Sequence, residues 1–444
     1  MKVKDVCLNS CWCKTSQRHA TITTLSLIAA NRATKKLQKR VPVMSIQCDW
    51  PDVLRKINGE CWISCKFHDQ PSLYGKIKIE SITNDGIPRA SASEGFEVKY
   101  LKTLTLGLRH SETGYTCIFV APFKVFSEIH KKSVVCLDVT PGELGVSVCA
   151  ENKLHIWDSN LGILRRNLEG HIGDVYKCRF FPSGIVFVTG GADMQLKIWS
   201  AETGQCPVTL RGHTAAVMDI CIVDRGRNIV SVSKDGLAKL WDCGQSSCLG
   251  DLVDTSVTIN CCCLTSLGKE YNLGEPEEPS SEREIGTSGK VLLYGCEDGT
   301  VGGVALRSHN SIFHFSLKSA VNCIAVLVYD KFVVGCQNGQ IFLFSLHQHS
   351  EPVMSWFESN SPLLSVLSYK GEGFFCGRAD GSCVYHPFSD SDNAKYVRVQ
   401  LTGPDYDPVY DIACDGKFIF TACRDSVIRK YELAKVTDAL QIDI

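Results

Sequence analysis

The sequence predicts an all-β fold, a seven-bladed β-propeller with a small β-rich N-terminal region. Three tryptophans, Trp157, Trp199 and Trp241, are each 42 residues apart, and a period near 42 is typical of one four-stranded blade. Hairpin-turn signals also recur between apolar runs, at positions 151, 193, 235, 298, 338, 380 and 425. Seven such turns predict seven blades.

The second and third repeats carry the fullest pattern of chemistry-bearing side chains. Each combines a histidine, a hydroxyl residue, a turn aspartate and a tryptophan at matching intervals. The two sets are His171, Thr189, Asp193 and Trp199, and His213, Ser231, Asp235 and Trp241. Each set can form one buried chain of hydrogen bonds, in which an unpaired carboxylate would cost about 1–3 kcal/mol. Because catalytic groups rarely recur at a fixed period, we interpret both sets as structural tetrads.

The chain before the repeats divides into two parts. Residues 1–44 contain nine Lys and Arg residues and one acid, Asp5, although the whole chain has a formal net charge of −1. We expect this basic leader to be a disordered upstream extension or to precede an alternative start at Met44, with a mitochondrial transit peptide as the other interpretation. Residues 45–114 lack the repeat but contain alternating apolar runs, and they predict the β-rich N-terminal region.

The propeller is expected over residues 115–433, with a C-terminal tail at 434–444. The last repeat ends without an outer strand, so "YTCIFVAPF" (115–123) is expected to close the ring, with "ALQIDI" in the tail as the alternative. An acidic loop insertion, 266–290, lengthens the interval between the third and fourth turns. It is either a spacer or a docking or phosphorylation segment at Ser280 and Ser281.

Several function classes lack support in the sequence. No nucleophile elbow, phosphate-binding loop, dinucleotide fingerprint or zinc-protease motif occurs, so we expect neither catalysis nor a cofactor. The 24 cysteines include no CxxC pair and many lie in apolar runs, which favours free thiols in the cytoplasm or nucleus over disulfides or a metal site. No apolar stretch is long enough for a membrane span, and the acidic body disfavours nucleic acid.

The Gly-His, Asp and Trp pattern resembles the WD-repeat family. Four further stretches resemble the proteasomal ATPase-associated factor family: "PSLYGKI" (71–77), "IVDRGRN" (222–228), "SEREIGT" (281–287) and "CRDSVIRKYEL" (423–433). This resemblance covers about residues 45–433. It implies a non-catalytic regulator or assembly chaperone of the 26S proteasome. Such a protein would bind the C-terminal domains of regulatory-particle ATPases and restrain their association with the 20S core. We expect a monomer when it is free.

In a propeller, the turns between the second and third strands share the top face with the connections between blades. We therefore expect partner-binding residues on that rim: Asp174, Arg211, Lys234, Glu297, Arg378, Asp405, Asp407 and Arg424. The alternative function is a WD-repeat substrate receptor of a cullin-type ubiquitin ligase, or another scaffold protein. Such receptors often carry an arginine two residues after Trp-Asp, which "WDSN" (157–160) and "WDCG" (241–244) lack.

Overall fold

The computed structural model describes residues 38–67, 70–83, 88–268, 271–275, 281–328, 330–347, 351–388 and 397–440. Over these ranges the chain forms a ring of seven sheets, with an eighth sheet beside it. None of the helices in these ranges has the length and apolar character needed to cross a bilayer. The all-β fold class predicted from the repeat is thereby confirmed.

The part of the chain before blade one, which we call the N-terminal part, contributes nine strands and helix α1 (Trp50–Val53) among the described residues between 38 and 126. In order the strands are β1 (Gln38–Arg40), β2 (Val43–Ile46), β3 (Glu60–Lys66), β4 (Leu73–Ile82), β5 (Pro88–Ala92), β6 (Phe96–Lys102), β7 (Thr105–His110), β8 (Thr116–Val120) and β9 (Lys124–Phe126). Strands β2 to β5 form an antiparallel sheet of their own. The boundary expected at residue 44 falls inside β2, where Met44 is fully buried and pairs with Cys65. Residues 1–37 of the leader lie outside the described residues.

The first four blades each contain four consecutive antiparallel strands. Blade one is β10 (Val134–Val139), β11 (Leu144–Cys149), β12 (Leu154–Asp158) and β13 (Leu164–Leu168). Blade two is β14 (Val175–Phe180), β15 (Val186–Gly191), β16 (Gln195–Ser200) and β17 (Val208–Arg211). Blade three is β18 (Val217–Val223), β19 (Asn228–Ser233), β20 (Leu237–Asp242) and β21 (Ser247–Asp254). Blade four is β22 (Ile259–Ser266), β23 (Lys290–Cys296), β24 (Thr300–Ala305) and β25 (Ser311–Ser316).

The last three blades all include strands from the N-terminal part. Blade five is β26 (Val321–Val328), β27 (Lys331–Cys336), β28 (Gln340–Ser345) and β29 (Met354–Phe357), with β1 parallel to β29. Blade six is β30 (Leu363–Tyr369), β31 (Gly373–Arg378), β32 (Cys383–Pro387) and β33 (Val397–Leu401), followed by β8, β7 and β6. Blade seven is β34 (Val409–Cys414), β35 (Phe418–Cys423), β36 (Ile428–Glu432) and β9. Helix α2 (Leu433–Leu440) occupies most of the expected tail, and residues 441–444 lie outside the described residues.

The closing strand differs from the one predicted. Segment 115–123 contains β8, which runs parallel to β33 in blade six, whereas β9 pairs with β36 and completes blade seven. All five residues of β8 are buried, because side chains pack on both faces of the strand: Cys117 and Phe119 belong to one apolar cluster, and Ile118 and Val120 belong to another. Strand β9 has only Phe126 buried, as suits an outermost strand. The continuous apolar run therefore forms an interior strand, and the less apolar segment after it closes the ring.

The ring encloses a central channel of about 600 Å³. Each innermost strand packs beside the innermost strand of the next blade, and that of blade seven packs beside that of blade one. In every blade the innermost strand has one extra residue, just after its first residue, in its pairing with the second strand. This extra residue produces a β-bulge near the top face. The extra residues line the channel: Val135, Tyr176, Met218, Asn260, Asn322, Leu364 and Tyr410.

Candidate partner-binding face

Main-chain hydrogen bonds build the top face in the same way in every blade. The residue that begins each turn donates its N–H to a carbonyl in the connection that enters the blade. The bonds, 2.7–3.0 Å long, are Ala150 to Ser133, Ala192 to Asp174, Lys234 to Ala216, Glu297 to Thr258, Gln337 to Ala320, Ala379 to Pro362 and Arg424 to Pro408. Turns and connections consequently form one rigid surface, on which side chains from distant parts of the sequence lie together.

In blade two, the four tetrad side chains lie in one hydrogen-bonded chain. The Trp199 indole N–H donates to the Thr189 hydroxyl at 2.9 Å, and that hydroxyl lies 2.6 Å from His171 Nε2. The His171 Nδ1 atom lies 2.9 Å from an oxygen of Asp193, and the N–H groups of Ile172 and Gln195 also donate to this carboxylate. The chain of bonds fastens the turn to the connection before the blade.

Blade three repeats this arrangement with Ser231 as the hydroxyl residue. Trp241 donates to Ser231 at 2.8 Å, Ser231 lies 2.7 Å from His213 Nε2, and His213 Nδ1 lies 2.9 Å from Asp235. A hydroxyl, an imidazole and a carboxylate in this order are also the components of a serine-hydrolase triad. Here the Ser231 side chain is fully buried and already accepts the indole N–H, so no substrate can reach it. Burial lowers the pKa of His213 despite the neighbouring Asp235, which favours the neutral imidazole that these bonds require.

Blade one retains only part of the tetrad. Trp157 donates to Ser147 at 2.9 Å, and His130 Nε2 lies 2.6 Å from the same hydroxyl. The turn residue Glu151 is exposed, and His130 Nδ1 has no hydrogen-bond partner among the described residues. The His130 ring instead stacks on His155 with 4.5 Å between centroids. Burial, followed by the effect of His155, lowers the pKa of His130 to about 3.

Blade six replaces the tetrad with a buried charge cluster, which the sequence analysis missed. The Glu358 carboxylate lies 3.5 Å from Arg378 Nη2, 3.4 Å from Arg398 Nη1 and 3.8 Å from His386 Nε2. All four side chains are about 1% exposed or less. Burial opposes the charge on Glu358, but Arg398, His386 and Arg378 together keep its pKa below the ordinary value. We name these four side chains the Glu358 cluster.

Arg378 therefore does not belong to the rim, contrary to prediction. Its side chain is 1% exposed, and Nη1 also donates to the carbonyls of Gly339 and Ser361 at 3.2 Å. The turn pattern placed it one residue before Ala379, which begins a half-buried turn. Because Arg378 is the last residue of β31, its side chain points between blades toward Glu358.

The other predicted rim residues lie at turns, connections or strand ends of the top face. Asp174, Arg211, Lys234, Glu297, Asp405 and Arg424 are exposed, and Asp407 is half-buried. Arg424 Nε lies 2.8 Å from Asp407 Oδ1, and Glu297 accepts a hydrogen bond from Asn260 at 2.7 Å. Exposed contacts of this kind contribute only about 0.2–1 kcal/mol, so these charges remain available to a partner.

Exposed apolar side chains on the same face were also missed. Ile172 is 85% exposed and Tyr406 is 65% exposed. Met194 is 42% exposed and follows Asp193, whose carboxylate accepts the Ile172 N–H at 3.2 Å. An isoleucine directly after a Gly-His pair, in a connection that needs no apolar residue, was the available signal. Apolar side chains surrounded by charges of both signs are typical of protein-binding surfaces.

Two stretches noted for their family resemblance meet on the opposite, bottom face. Asn228 accepts a hydrogen bond from the Ile285 N–H at 2.7 Å, and Lys290 Nζ lies 2.6 Å from Asp224 Oδ1. "IVDRGRN" and "SEREIGT" thus form one contact, which fastens the end of the 266–290 insertion to blade three. Ser281 is exposed within the described residues, whereas Ser280 lies outside them.

No group of three or more His, Cys, Asp or Glu side chains in the described ranges is arranged to hold a metal ion. The central channel contains opposite charges in contact: Lys177 Nζ lies 3.2 Å from Asp411 Oδ1, and Arg179 lies 3.9 Å from Asp411 Oδ2. Asp411 also accepts the Leu137 N–H of the next blade at 3.3 Å. The Leu137 contact joins blade seven to blade one, and the Lys177 and Arg179 contacts reach past blade one to join blade seven to blade two.

Two segments of the chain, residues 162–200 and 204–242, match the family model described as WD domain, G-beta repeat. These segments end in blades two and three, the two blades with complete tetrads. The chain is 47% identical over 392 residues to human (Homo sapiens) proteasomal ATPase-associated factor 1, covering 88% of this chain and 98% of that protein. The protein of that name from Gallus gallus is 46% identical, with the same coverage of each chain. The Dictyostelium discoideum protein called probable proteasomal ATPase-associated factor 1 is 34% identical over 412 residues, 88% of this chain and 96% of that one. The chain therefore belongs to the proteasomal ATPase-associated factor 1 family and carries its WD repeats.

Proposed function

We propose that this protein is a non-catalytic regulator or assembly chaperone of the 26S proteasome. It would bind C-terminal domains of regulatory-particle ATPases through its top face and restrain their association with the 20S core. Membership of a family named for association with proteasomal ATPases supports the partner class. The observation that carries the choice of face is the exposed Ile172 and Met194 pair, set among charges of both signs.

The mechanism we propose is steric. A propeller seated on an ATPase C-terminal domain covers the surface that must meet the core particle, so its departure permits docking. Such binding requires a rigid face rather than reacting groups, and the seven turn-to-connection bonds supply that rigidity. Exposed apolar side chains supply binding free energy, and the rim charges favour the correct partner.

Two isoleucines of blade two provide a matched test. Ile172 lies on the top face, whereas Ile185 lies in a bottom-face loop and is 49% exposed. We expect Ile172→Asp to weaken binding to purified ATPase C-terminal domains by at least about ten-fold, the size of effect typical of a central interface residue. Ile185→Asp should leave the affinity unchanged. Titration of each variant over an immobilised ATPase C-terminal domain would measure the difference in affinity.

Other outcomes would contradict the proposal. Equal loss of binding in both variants would argue against the top face. Recovery of cullin adaptors in place of ATPases from cytosol would support the ubiquitin-ligase alternative. The full chain should be used, because a chain that began at residue 45 would lack β1 and half of β2.

A further inference from the structure

A small apolar pocket lies in the N-terminal part, outside the propeller face described above. Its volume is about 230 Å³. Helix α1 and the residues after it form one wall, with Trp50 and Leu54. The ends of β4 and β5, where Ile82 pairs with Pro88, form another, and Leu101 of β6 completes it.

The pocket has a fixed floor. Trp50 and Leu54 are 1% and 2% exposed, and the Trp50 indole N–H donates to the Thr402 hydroxyl at 3.0 Å. This bond fastens the pocket to blade six, directly before the connection that carries Asp405 and Tyr406 on the top face. A rigid apolar cavity loses little conformational entropy when a side chain enters it.

The charged side chains that the structure describes in the lining of the mouth are both basic. Among the described residues that line the pocket, the charged ones are Arg55, which follows α1, and Lys102, at the end of β6. They belong to different walls. Arg55 Nη1 lies 3.5 Å from Asp52 Oδ1, but these side chains are 53% and 76% exposed, so the pair is weak and Arg55 can exchange Asp52 for a carboxylate of a partner.

From this arrangement we propose that the pocket binds an internal segment of a partner protein in which one apolar side chain is flanked by acidic residues. The apolar side chain fills the cavity against Trp50 and Leu54. The acidic side chains meet Arg55 on one wall and Lys102 on the other. This binding site rests on the pocket alone and does not require that the top face bind an ATPase.

Fluorescently labelled peptides can test the proposal with the full chain. The probe is a nine-residue Gly-Ser peptide with Glu-Leu-Glu at its centre, and the controls carry Glu-Ser-Glu or Lys-Leu-Lys. We expect the probe to bind at least about ten-fold more tightly than either control by fluorescence anisotropy, because each control lacks one part of the complementarity. Equal binding of the three peptides, or no binding at millimolar concentration, would overturn the proposal.

Charge reversal at the mouth supplies a second test. Arg55→Glu with Lys102→Glu should reverse the preference, so that Lys-Leu-Lys binds more tightly than Glu-Leu-Glu. Lys78→Glu, on the exposed face of β4 and outside the pocket, should change neither affinity. An unchanged preference in the double variant would place peptide binding elsewhere and refute the pocket. Ile172→Asp should leave peptide binding intact, which separates this test from that of the proposed function.

Discussion

In blade two a tryptophan ring fills the space beneath the connection before the blade, whereas in blade six charged side chains fill it. A Cβ atom on Gly170 would lie 2.9 Å from the Trp199 ring, so only glycine fits there. Glu358 occupies the position equivalent to Gly170, because each residue lies five residues before the start of the innermost strand of its own blade. His386, smaller than tryptophan, occupies the position of Trp199, opposite Phe374 as Trp199 is opposite Phe187.

The difference shows that the fold requires a filled space and a paired turn, and that it tolerates different residues for each. Blade seven supports this conclusion with a third solution. Tyr431 stands in the tryptophan position, and Arg429 replaces histidine as the partner of the turn carboxylate of Asp425. Blade six differs in a second respect, since Arg398 also donates to the carbonyl of Pro42, between β1 and β2, at 3.5 Å. The Glu358 cluster therefore also links the N-terminal part to the propeller.

The largest effect should follow from removing the central charge of the cluster. Glu358→Leu leaves Arg378 and Arg398 buried without a counter-charge. We expect it to lower the free energy of unfolding by about 3–5 kcal/mol. Urea denaturation measures the loss, and Glu202→Gln, at an exposed position, should stay within about 0.5 kcal/mol of the wild type.

A combined variant sharpens this result. Glu358→Leu with Arg378→Met and Arg398→Met removes all three charges and keeps much of the volume. It should recover most of the lost stability, since apolar replacement of a buried ionic group is often neutral. If the single and the combined variants were equally unstable, packing rather than charge would explain the loss.

A smaller effect should separate complete blades from incomplete ones. Asp235 in blade three accepts the N–H groups of Thr214 and Leu237 in addition to meeting His213. Asp298, at the equivalent turn of blade four, is exposed and accepts the N–H of Thr300 at 2.8 Å. We expect Asp235→Ala to cost about 2–3 kcal/mol and Asp298→Ala less than about 1 kcal/mol in urea denaturation. Equal losses would mean that the turn bond, not the tetrad, accounts for the effect.

The smallest effect concerns pH and the partial tetrad of blade one. His130 has a pKa of about 3 in the folded chain and 6.5 as its ordinary value, so the unfolded chain binds the extra proton between these values. Stability should therefore fall as pH is lowered below about 6.5, by about 1.4 kcal/mol per pH unit for this histidine. His130→Gln should remove about 2 kcal/mol of the loss between pH 7 and pH 5.

The matched control for this measurement is His314→Gln, at an exposed position of β25. Its unfolding free energy should follow the wild-type pH profile. Parallel profiles for His130→Gln and the wild type would show that His130 does not contribute to the acid sensitivity.

The all-β fold and the tetrad positions could be predicted because their signals are local. A hairpin turn, a strand of alternating or continuous apolar residues and a tryptophan six residues after the turn all lie within one period of 42 residues. The top-face positions of the other rim residues were predictable for the same reason, but that of Arg378 was not. That error arose because a turn pattern locates a residue along the strand but does not say which neighbour its side chain meets.

What the sequence by itself determined was the repeat: its period, its turns and the side chains that recur in blades two and three. Only the tertiary structure decided which strand closes the ring, which blades receive β1 and β6 to β8, and which charges the Glu358 cluster buries. The strand pairings depend on contacts between residues more than 200 apart in the chain, as between β8 and β33, and the cluster depends on side chains from separate segments of blade six. Any apolar strand can pair with any free sheet edge, so the pairing that forms is the one that buries its apolar side chains in the assembled ring.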